Sequence, residues 1–244
     1  MTVEYQRGEY QGYKSLEFTF EDRKAIVVFP TTSLKEKKWL LKTEYFYAFP
    51  SFELEMLSRG YHLTYLENKT RWYVEEDAHS KDRFAAFLQA EFGLCSQCVP
   101  VGMSCGGMHA VYFAAEHPDR VAALYLDAPV LNLLSCPCAV GLSEDRSMYD
   151  EFVEHTGKTV SDLLNYRNHP IDRVKELLDA EIPVCLICGD SDVTVPYSEN
   201  GAVLAERYRD SHVPFMEILK PGCGHHPHGL DDNAPLIQFV LEHY

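Results

Sequence analysis

The sequence predicts an α/β protein whose mostly parallel central sheet is covered by helices on both faces, and three observations support this. Apolar segments of strand length alternate with segments whose apolar residues recur at helical spacing. Several strand segments are continuously apolar, which is typical of strands buried on both faces. The chain has 244 residues, 46% of them hydrophobic, which is enough to bury one sizeable core. We therefore expect a single domain over residues 1–244.

The first half of the chain begins with strands. The predicted elements are a hairpin over residues 15–30, a helix over 52–57, a strand over 61–68, a helix over 75–92 and a strand from 99 that leads into a helix from 108. Gly60 ends the first helix. We interpret the charged Lys42 and Glu44 upstream as the solvated start of this helical region, with an active-site role as the alternative.

The second half repeats the alternation of strand and helix. The predicted elements are a strand over 121–130, a strand over 182–192, a helix over 201–210, a strand over 215–222 and a helix over 235–244. A long, partly polar and mostly helical interval separates the first two of these strands. We expect its first part, residues 131–170, to form a small helical lid or cap over the edge of the sheet.

Composition and charge exclude several classes of partner. Lys and Arg number 22 against 37 Asp and Glu, so the net charge is −15 and a polyanion would be repelled. We therefore expect no binding to nucleic acid or to an anionic membrane. The first residues lack the apolar region of a signal peptide, and no run reaches the roughly 18 apolar residues of a membrane span. These features predict a cytoplasmic protein.

The eight cysteines include two CxxC spacings, which raises the hypothesis of a zinc site or a disulfide framework. Cys185 and Cys188 lie in a predicted strand, where residues three apart point to opposite faces and cannot share one metal ion. Cys95 and Cys98 lie in a loop, where a turn could bring them together. We expect reduced cysteines that pack as small apolar side chains.

Residues 99–118 place a serine at a forced bend. An apolar strand reaches Gly102, and Ser104 follows in the spacing GxSxG before helical periodicity begins. Small residues two positions before and after the serine allow a turn so sharp that the hydroxyl stands clear of the sheet. The backbone N–H of Cys105 would face the same space at a helix N-terminus, where it could stabilise an oxyanion. The alternative is a glycine-rich turn that carries a serine by chance.

A serine nucleophile needs a histidine to accept its proton and an acid to orient that histidine. Two later predicted strands end in such residues. Asp190 and Asp192 end the strand over 182–192, and the last strand is followed by three histidines: His225, His226 and His228. The acid could also be Asp127, at the end of the strand over 121–130.

These segments resemble the α/β-hydrolase superfamily. GMSCGG, GDSDVTVP and PGCGHH match its motifs GxSxG, GxxDxxVP and GxGH in the same order. The resemblance implies the α/β-hydrolase fold, with Ser104 as nucleophile, Asp192 as acid and His225 as base, and no cofactor. The ending GHHPHGL and the segment WLLKTEYFY are also similar to a bacterial group of small hydrolases associated with carbohydrate degradation. In the superfamily, a loop after an early strand supplies the second oxyanion donor, and Thr31 or Thr32 is our candidate for it.

The expected function is hydrolysis of a carboxylic ester, with a small-molecule ester as the substrate. A peptidase of the prolyl oligopeptidase kind would use the same three residues, but we expect the esterase because the chain lacks the propeller domain usual in that group. A non-catalytic binding protein on the same fold is a further alternative. So is a metal-dependent hydrolase, because the histidines lie close to Asp231 and Asp232. We expect no metal, because a loop after a strand gives no fixed ligand geometry.

Overall fold

The computed structural model describes residues 3–244, which form a nine-stranded sheet flanked by helices. The strands are β1 (Gln6–Tyr10), β2 (Tyr13–Phe20), β3 (Arg23–Val28), β4 (Trp39–Lys42), β5 (His62–Leu66), β6 (Val99–Met103), β7 (Leu124–Asp127), β8 (Val184–Gly189) and β9 (Phe215–Lys220). The helices are α1 (Ser51–Ser58), α2 (Glu75–Phe92), α3 (Cys105–Glu116), α4 (Tyr149–Thr156), α5 (Val160–Leu163), α6 (Val174–Asp179), α7 (Gly201–Arg209) and α8 (Ala234–His243).

The sheet is antiparallel at one end and parallel through the rest. Its strand order is β1-β2-β3-β5-β4-β6-β7-β8-β9. Strands β1, β2, β3 and β5 pair antiparallel in succession, whereas β5, β4, β6, β7, β8 and β9 run parallel. The carboxyl ends of β4, β6, β7, β8 and β9 therefore meet at one edge, where ligands of open α/β sheets bind.

Two apolar cores cover the two faces of the sheet. One contains side chains from α2, α3, α6 and α7, and the other contains side chains from α1 and α8. Within β8, Cys188 belongs to the first core and Cys185 to the second, as expected for residues three apart in a strand. The predicted α/β-hydrolase fold, a mostly parallel sheet with helices on both faces, is confirmed.

Strands β1 and β4 are absent from the sequence-based prediction. The residues of β1 are polar and mostly exposed, so this edge strand has no apolar signal. In β4 only four residues, WLLK, follow a polar segment, and the last of them is a lysine. All four are buried because β4 pairs with β5 on one side and β6 on the other.

The interpretation of Lys42 and Glu44 as a solvated helix start is wrong. Lys42 ends β4 and is 0% exposed. Its ammonium contacts the carboxylate of Glu53, which is also buried, and donates to the Ala48 carbonyl oxygen at 3.3 Å. A buried ammonium is stable only when paired in this way.

Residues 131–170 pack beside the carboxyl edge of the sheet. Phe152 of α4 and Leu163 of α5 are buried in a third apolar cluster, with Trp72 and with Met108 and Tyr112 of α3. The segment therefore packs on the helix that follows Ser104, and its role as a lid or cap over the edge of the sheet stays a prediction.

All eight cysteines lie in the described residues and are free. Within residues 3–244, no helix combines the length and the apolar character needed to cross a bilayer.

Candidate active site

Ser104 lies at the turn between β6 and α3, in a backbone conformation that few residues adopt. Its φ is 52° and its ψ is −121°. A Cβ atom at Gly102 would lie 2.7 Å from the Gly106 carbonyl oxygen, and one at Gly107 would lie 2.3 Å from Cβ of Pro129. The turn therefore requires glycine at both positions. Gly102 is the first glycine of the GxSxG motif, and Gly107 directly follows the second.

The backbone of Ser104 is tied to the neighbouring strand. Its N–H donates to the Asp127 carbonyl oxygen at 2.9 Å, and its carbonyl oxygen accepts from the Val130 N–H at 3.0 Å. These bonds hold an unfavourable φ in place, as strained residues at functional sites require.

A hydrogen-bond chain joins Ser104 to the two partners expected for it. His225 Nε2 lies 3.0 Å from Ser104 Oγ, and His225 Nδ1 lies 2.7 Å from Asp192 Oδ2. Since an ionised carboxylate can only accept, Nδ1 carries the proton and Nε2 accepts from the serine hydroxyl. The other oxygen of Asp192 accepts from the N–H groups of Thr194 and Val195 at 2.9 and 2.8 Å, which fixes its orientation.

The two alternative acids have other partners. Asp190 accepts from the Gly222 N–H at 2.7 Å and the Ser191 hydroxyl at 2.8 Å. Asp127 accepts from the Gly229 N–H at 2.6 Å and lies 2.7 Å from His228 Nδ1. Asp192 is the acid that contacts His225.

The three histidines form a cluster beside Ser104. The ring centroids of His225, His226 and His228 lie 4.9–5.0 Å apart, and Phe49 stacks on His226 at 5.7 Å. One ring nitrogen of each histidine lies within 4.8 Å of the others, close enough for a shared metal ion. Carboxylates already bind Nδ1 of His225 and of His228, and the absence of a metal requirement stays a prediction.

Cys105 presents its backbone N–H at the start of α3, where the first N–H groups have no partner within the helix. Its side chain is fully buried, and burial raises the pKa of the thiol to about 11. The thiol is therefore neutral near pH 7, and its sulfur is a poor nucleophile. The position fits a role for the amide rather than the thiol.

Thr31 and Thr32 do not lie near Ser104, so their prediction as oxyanion donors is wrong. They follow β3, which runs antiparallel to β5 with Val28 opposite Leu63. Leu63 in turn lies level with Leu40, near the amino end of the parallel strands. The two threonines are exposed at the sheet edge opposite the one that carries Ser104.

The loop after β4, unlike Thr31 and Thr32, lies beside the turn that carries Ser104. Gly106 packs against this loop, and a Cβ there would lie 3.2 Å from Thr43 Oγ1 and 3.4 Å from the Glu44 nitrogen. The Glu44 side chain accepts from the Asn68 amide, which holds the loop. Tyr45 lines the same cavity as Ser104.

Tyr45 is a site residue that sequence reasoning missed. Burial raises the pKa of Tyr45, and the thiol of Cys105, the residue after Ser104, acts in the same direction, so the hydroxyl stays protonated and can donate. The segment WLLKTEYFY contains it, but Tyr45 can be placed at the carboxyl edge only once β4 is recognised as a strand.

A cavity of about 440 Å³ opens beside Ser104. Residues of five regions line it: Tyr45, Ala48 and Phe49 after β4; Arg71; Met103 and Ser104 at the turn; Asp145 and Met148 from the segment 131–170; and Thr194, His225, His226 and His228 after β8 and β9. Arg71 forms a bidentate ion pair with Glu151 of α4, with one N···O distance of 2.7 Å. The segment 131–170 therefore contributes to the wall of the cavity, and an ion pair joins it to Arg71, another residue of that wall.

The sequence profile described as the prolyl oligopeptidase family matches residues 72–243. This range includes Ser104, Asp192 and His225. No curated protein matches the chain.

Solved structures share the fold at low sequence identity. A dipeptidyl peptidase 4 from Porphyromonas gingivalis has a TM-score of 0.67 and 13% identity, over 99% of this chain and 35% of its own. An acetyl xylan esterase from Paenibacillus sp. R4 has a TM-score of 0.67 and 14% identity, over 100% and 90%. An S-formylglutathione hydrolase from Agrobacterium tumefaciens has 0.63 and 12%, over 100% and 97%. The chain thus spans about a third of the peptidase and most of the other two.

Proposed function

The chain belongs to the prolyl oligopeptidase family, and from this premise we propose that it is a serine esterase that cleaves small carboxylic esters through an acyl-enzyme. The observation that carries the proposal is the hydrogen-bond chain from Ser104 through His225 to Asp192. A serine whose hydroxyl donates to a carboxylate-bound imidazole is activated for attack on a carbonyl carbon.

In the first step, Ser104 Oγ attacks the ester carbonyl carbon while His225 Nε2 takes its proton. Asp192 stabilises the imidazolium that results. The negative oxygen accepts hydrogen bonds from the Cys105 N–H and from a donor on the loop after β4, either the Glu44 N–H or the Tyr45 hydroxyl. The bond to the alcohol oxygen then breaks, and His225 gives its proton to the leaving alcohol.

In the second step, water attacks the acyl-enzyme. His225 accepts a proton from the water, the same oxyanion donors act again, and the proton returns to Ser104 as the acid product leaves. The reaction needs no redox step and no cofactor. We expect activity to survive a metal chelator.

An acylated carbohydrate is the substrate class we favour. The cavity suits a small ester, and Tyr45 and Phe49 give it aromatic walls of the kind that pack against sugar rings. The ending GHHPHGL is similar to hydrolases associated with carbohydrate degradation, and the chain covers 90% of an acetyl xylan esterase.

A peptidase is the second candidate, and the family match favours it. The dipeptidyl peptidase from Porphyromonas gingivalis shares the fold over 99% of this chain. Amide cleavage would use the same residues, with His225 protonating an amine instead of an alcohol.

The test is labelling with a fluorophosphonate combined with substrate profiling. Wild type and Ser104→Ala are treated with the label, and both are assayed with p-nitrophenyl esters of increasing acyl length, with acetylated sugars and with aminoacyl arylamides, in the presence and absence of EDTA. We expect label on Ser104 and esterase activity that EDTA leaves unchanged, and neither in the alanine variant.

Each other outcome points to a named alternative. Label together with a preference for arylamides would replace the esterase with the peptidase. A wild type without label or activity would leave a non-catalytic binding protein on this fold. Activity lost in EDTA would indicate a metal-dependent hydrolase based on the histidine cluster.

A further inference from the structure

A second cluster of metal-binding side chains lies at the end of α3 that is remote from Ser104. His79 extends from α2, Glu116 is the last residue of α3, and His117 follows it. The ligand atoms of these three residues lie within 4.8 Å of one another. Because α3 has 12 residues, this cluster lies roughly 18 Å along the helix from Ser104.

The two imidazoles meet edge to face and share a hydrogen bond, which a metal ion between the same two nitrogens would replace. His79 Nδ1 lies 3.3 Å from His117 Nε2. Two nitrogens that bind one tetrahedral zinc ion at about 2.0–2.1 Å are themselves about 3.3–3.4 Å apart.

The remaining ring nitrogens face carboxylates. His79 Nε2 lies 3.8 Å from Glu75 Oε1, and His117 Nδ1 lies 4.0 Å from Asp82 Oδ1. Histidines that bind metals almost always direct the other nitrogen at a carboxylate, a carbonyl oxygen or water, which fixes the tautomer. At 3.8 and 4.0 Å these contacts are longer than hydrogen bonds, so the carboxylates lie near the outer nitrogens without yet fixing a tautomer.

Glu116 provides an independent indication. Its Oε1 accepts from the Tyr73 hydroxyl at 2.8 Å and lies 3.5 Å from Arg173. Its Oε2 is buried and has no hydrogen-bond partner in the described part of the chain. Buried carboxylate oxygens in native proteins nearly always have a partner, so this oxygen is free for a cation.

We propose that His79, Glu116 and His117 bind a divalent transition-metal ion, of which Zn²⁺ fits best. Two imidazoles and one carboxylate are a donor set that zinc takes, with water as the fourth ligand. The exposed fraction of the His79 side chain is 44%, which gives the ion a path from solvent. The bound ion joins α2 to the end of α3.

The test measures zinc binding directly. Metal-free wild type, His79→Ala and His117→Ala compete for Zn²⁺ with a chromophoric chelator, and thermal unfolding is followed as zinc is added. Wild type binds zinc at this site, and each variant loses at least tenfold in affinity for it. At a zinc concentration about a hundred times the dissociation constant, Tm of wild type rises by roughly 5–10 °C, and Tm of the variants does not follow.

His212→Ala and His226→Ala serve as matched controls. His212 pairs with Glu181 alone on an exposed surface, and His226 belongs to the cluster beside Ser104. Both controls keep the zinc affinity of wild type. The proposal fails if wild type binds no zinc, if His79→Ala binds it as tightly, or if His226→Ala loses it. The last outcome would move the ion to the cluster beside Ser104, where it would also block fluorophosphonate labelling.

Discussion

The carboxylates of Asp190 and Asp192 are two residues apart but have different partners, and this difference predicts different costs of removing each charge. Asp192→Asn should lower kcat by about 10³–10⁴-fold, because an amide no longer fixes the proton on His225 Nδ1. Asp190→Asn should stay within about threefold of wild type, since an amide oxygen can still accept from the Gly222 N–H. Kinetics with p-nitrophenyl acetate measure both, and equal losses would contradict the assignment of Asp192.

The Tyr45 hydroxyl leads to a second prediction about a single atom. If it donates to the oxyanion, Tyr45→Phe lowers kcat by about 10²-fold and leaves KM nearly unchanged, because that bond forms only in the transition state. Tyr47→Phe is the matched control, since Tyr47 lies in the same loop with 64% of its surface exposed. A Tyr45→Phe variant with the kcat of wild type would leave the Glu44 N–H as the donor on this loop.

At the scale of elements, the strand-to-helix turn at Ser104 should not tolerate a side chain at Gly107. A Cβ there would lie 2.3 Å from Cβ of Pro129, so Gly107→Ala should cost about 1–3 kcal/mol in the free energy of unfolding, or more. Gly224→Ala is the control, because the nearest atom to its Cβ would be the Ser191 carbonyl oxygen at 3.9 Å. Urea denaturation measures both. A Gly107→Ala variant as stable as wild type would show that the turn can shift without cost.

The elements also show where sequence reasoning stops. The helices over 75–92 and 201–210 were predictable, because their apolar residues recur at helical spacing within one continuous segment. Strand β4 was not, because four residues ending in Lys42 carry too little pattern. Lys42 is buried because β4 pairs on both sides, and Glu53 of α1 neutralises its charge, a contact that the sequence pattern does not reveal. Without β4, the second oxyanion donor was assigned to Thr31 and Thr32, which lie at the other edge of the sheet.

For the whole molecule, chain order predicts that Ser104, Asp192 and His225 gather at one edge of the sheet, whereas the choice of these three residues came from the resemblance to the α/β-hydrolase motifs. Each follows a strand of one parallel sheet, and the carboxyl ends of such strands share an edge. The same rule brought Asp127 and His228 to that edge, and only side-chain geometry separates the two aspartate–histidine pairs. Topology therefore predicts which residues gather, and packing decides which of them touch.

The stability of the whole molecule should depend on pH through His109, which lies in α3. Its side chain is fully buried, with Nε2 3.1 Å from the Arg71 carbonyl oxygen and no partner for Nδ1 in the described residues. Burial, together with the ammonium of Lys81, lowers the pKa of His109 from 6.5 to about 3. Between these two values the unfolded chain binds a proton that the folded chain rejects, so stability is lost as the pH falls below 6.5.

From this one group we expect the free energy of unfolding to fall by about 2 kcal/mol between pH 7 and pH 5. Urea denaturation at both pH values measures this loss. In His109→Gln the loss between pH 7 and pH 5 should be smaller by about 2 kcal/mol, and this difference does not depend on how stable the variant is at pH 7. His62, whose pKa burial lowers to about 4, titrates in both proteins and cancels in the comparison. His212→Gln should keep the loss of wild type, because His212 is exposed. If His109→Gln loses as much stability as wild type, His109 does not remain neutral in the folded protein.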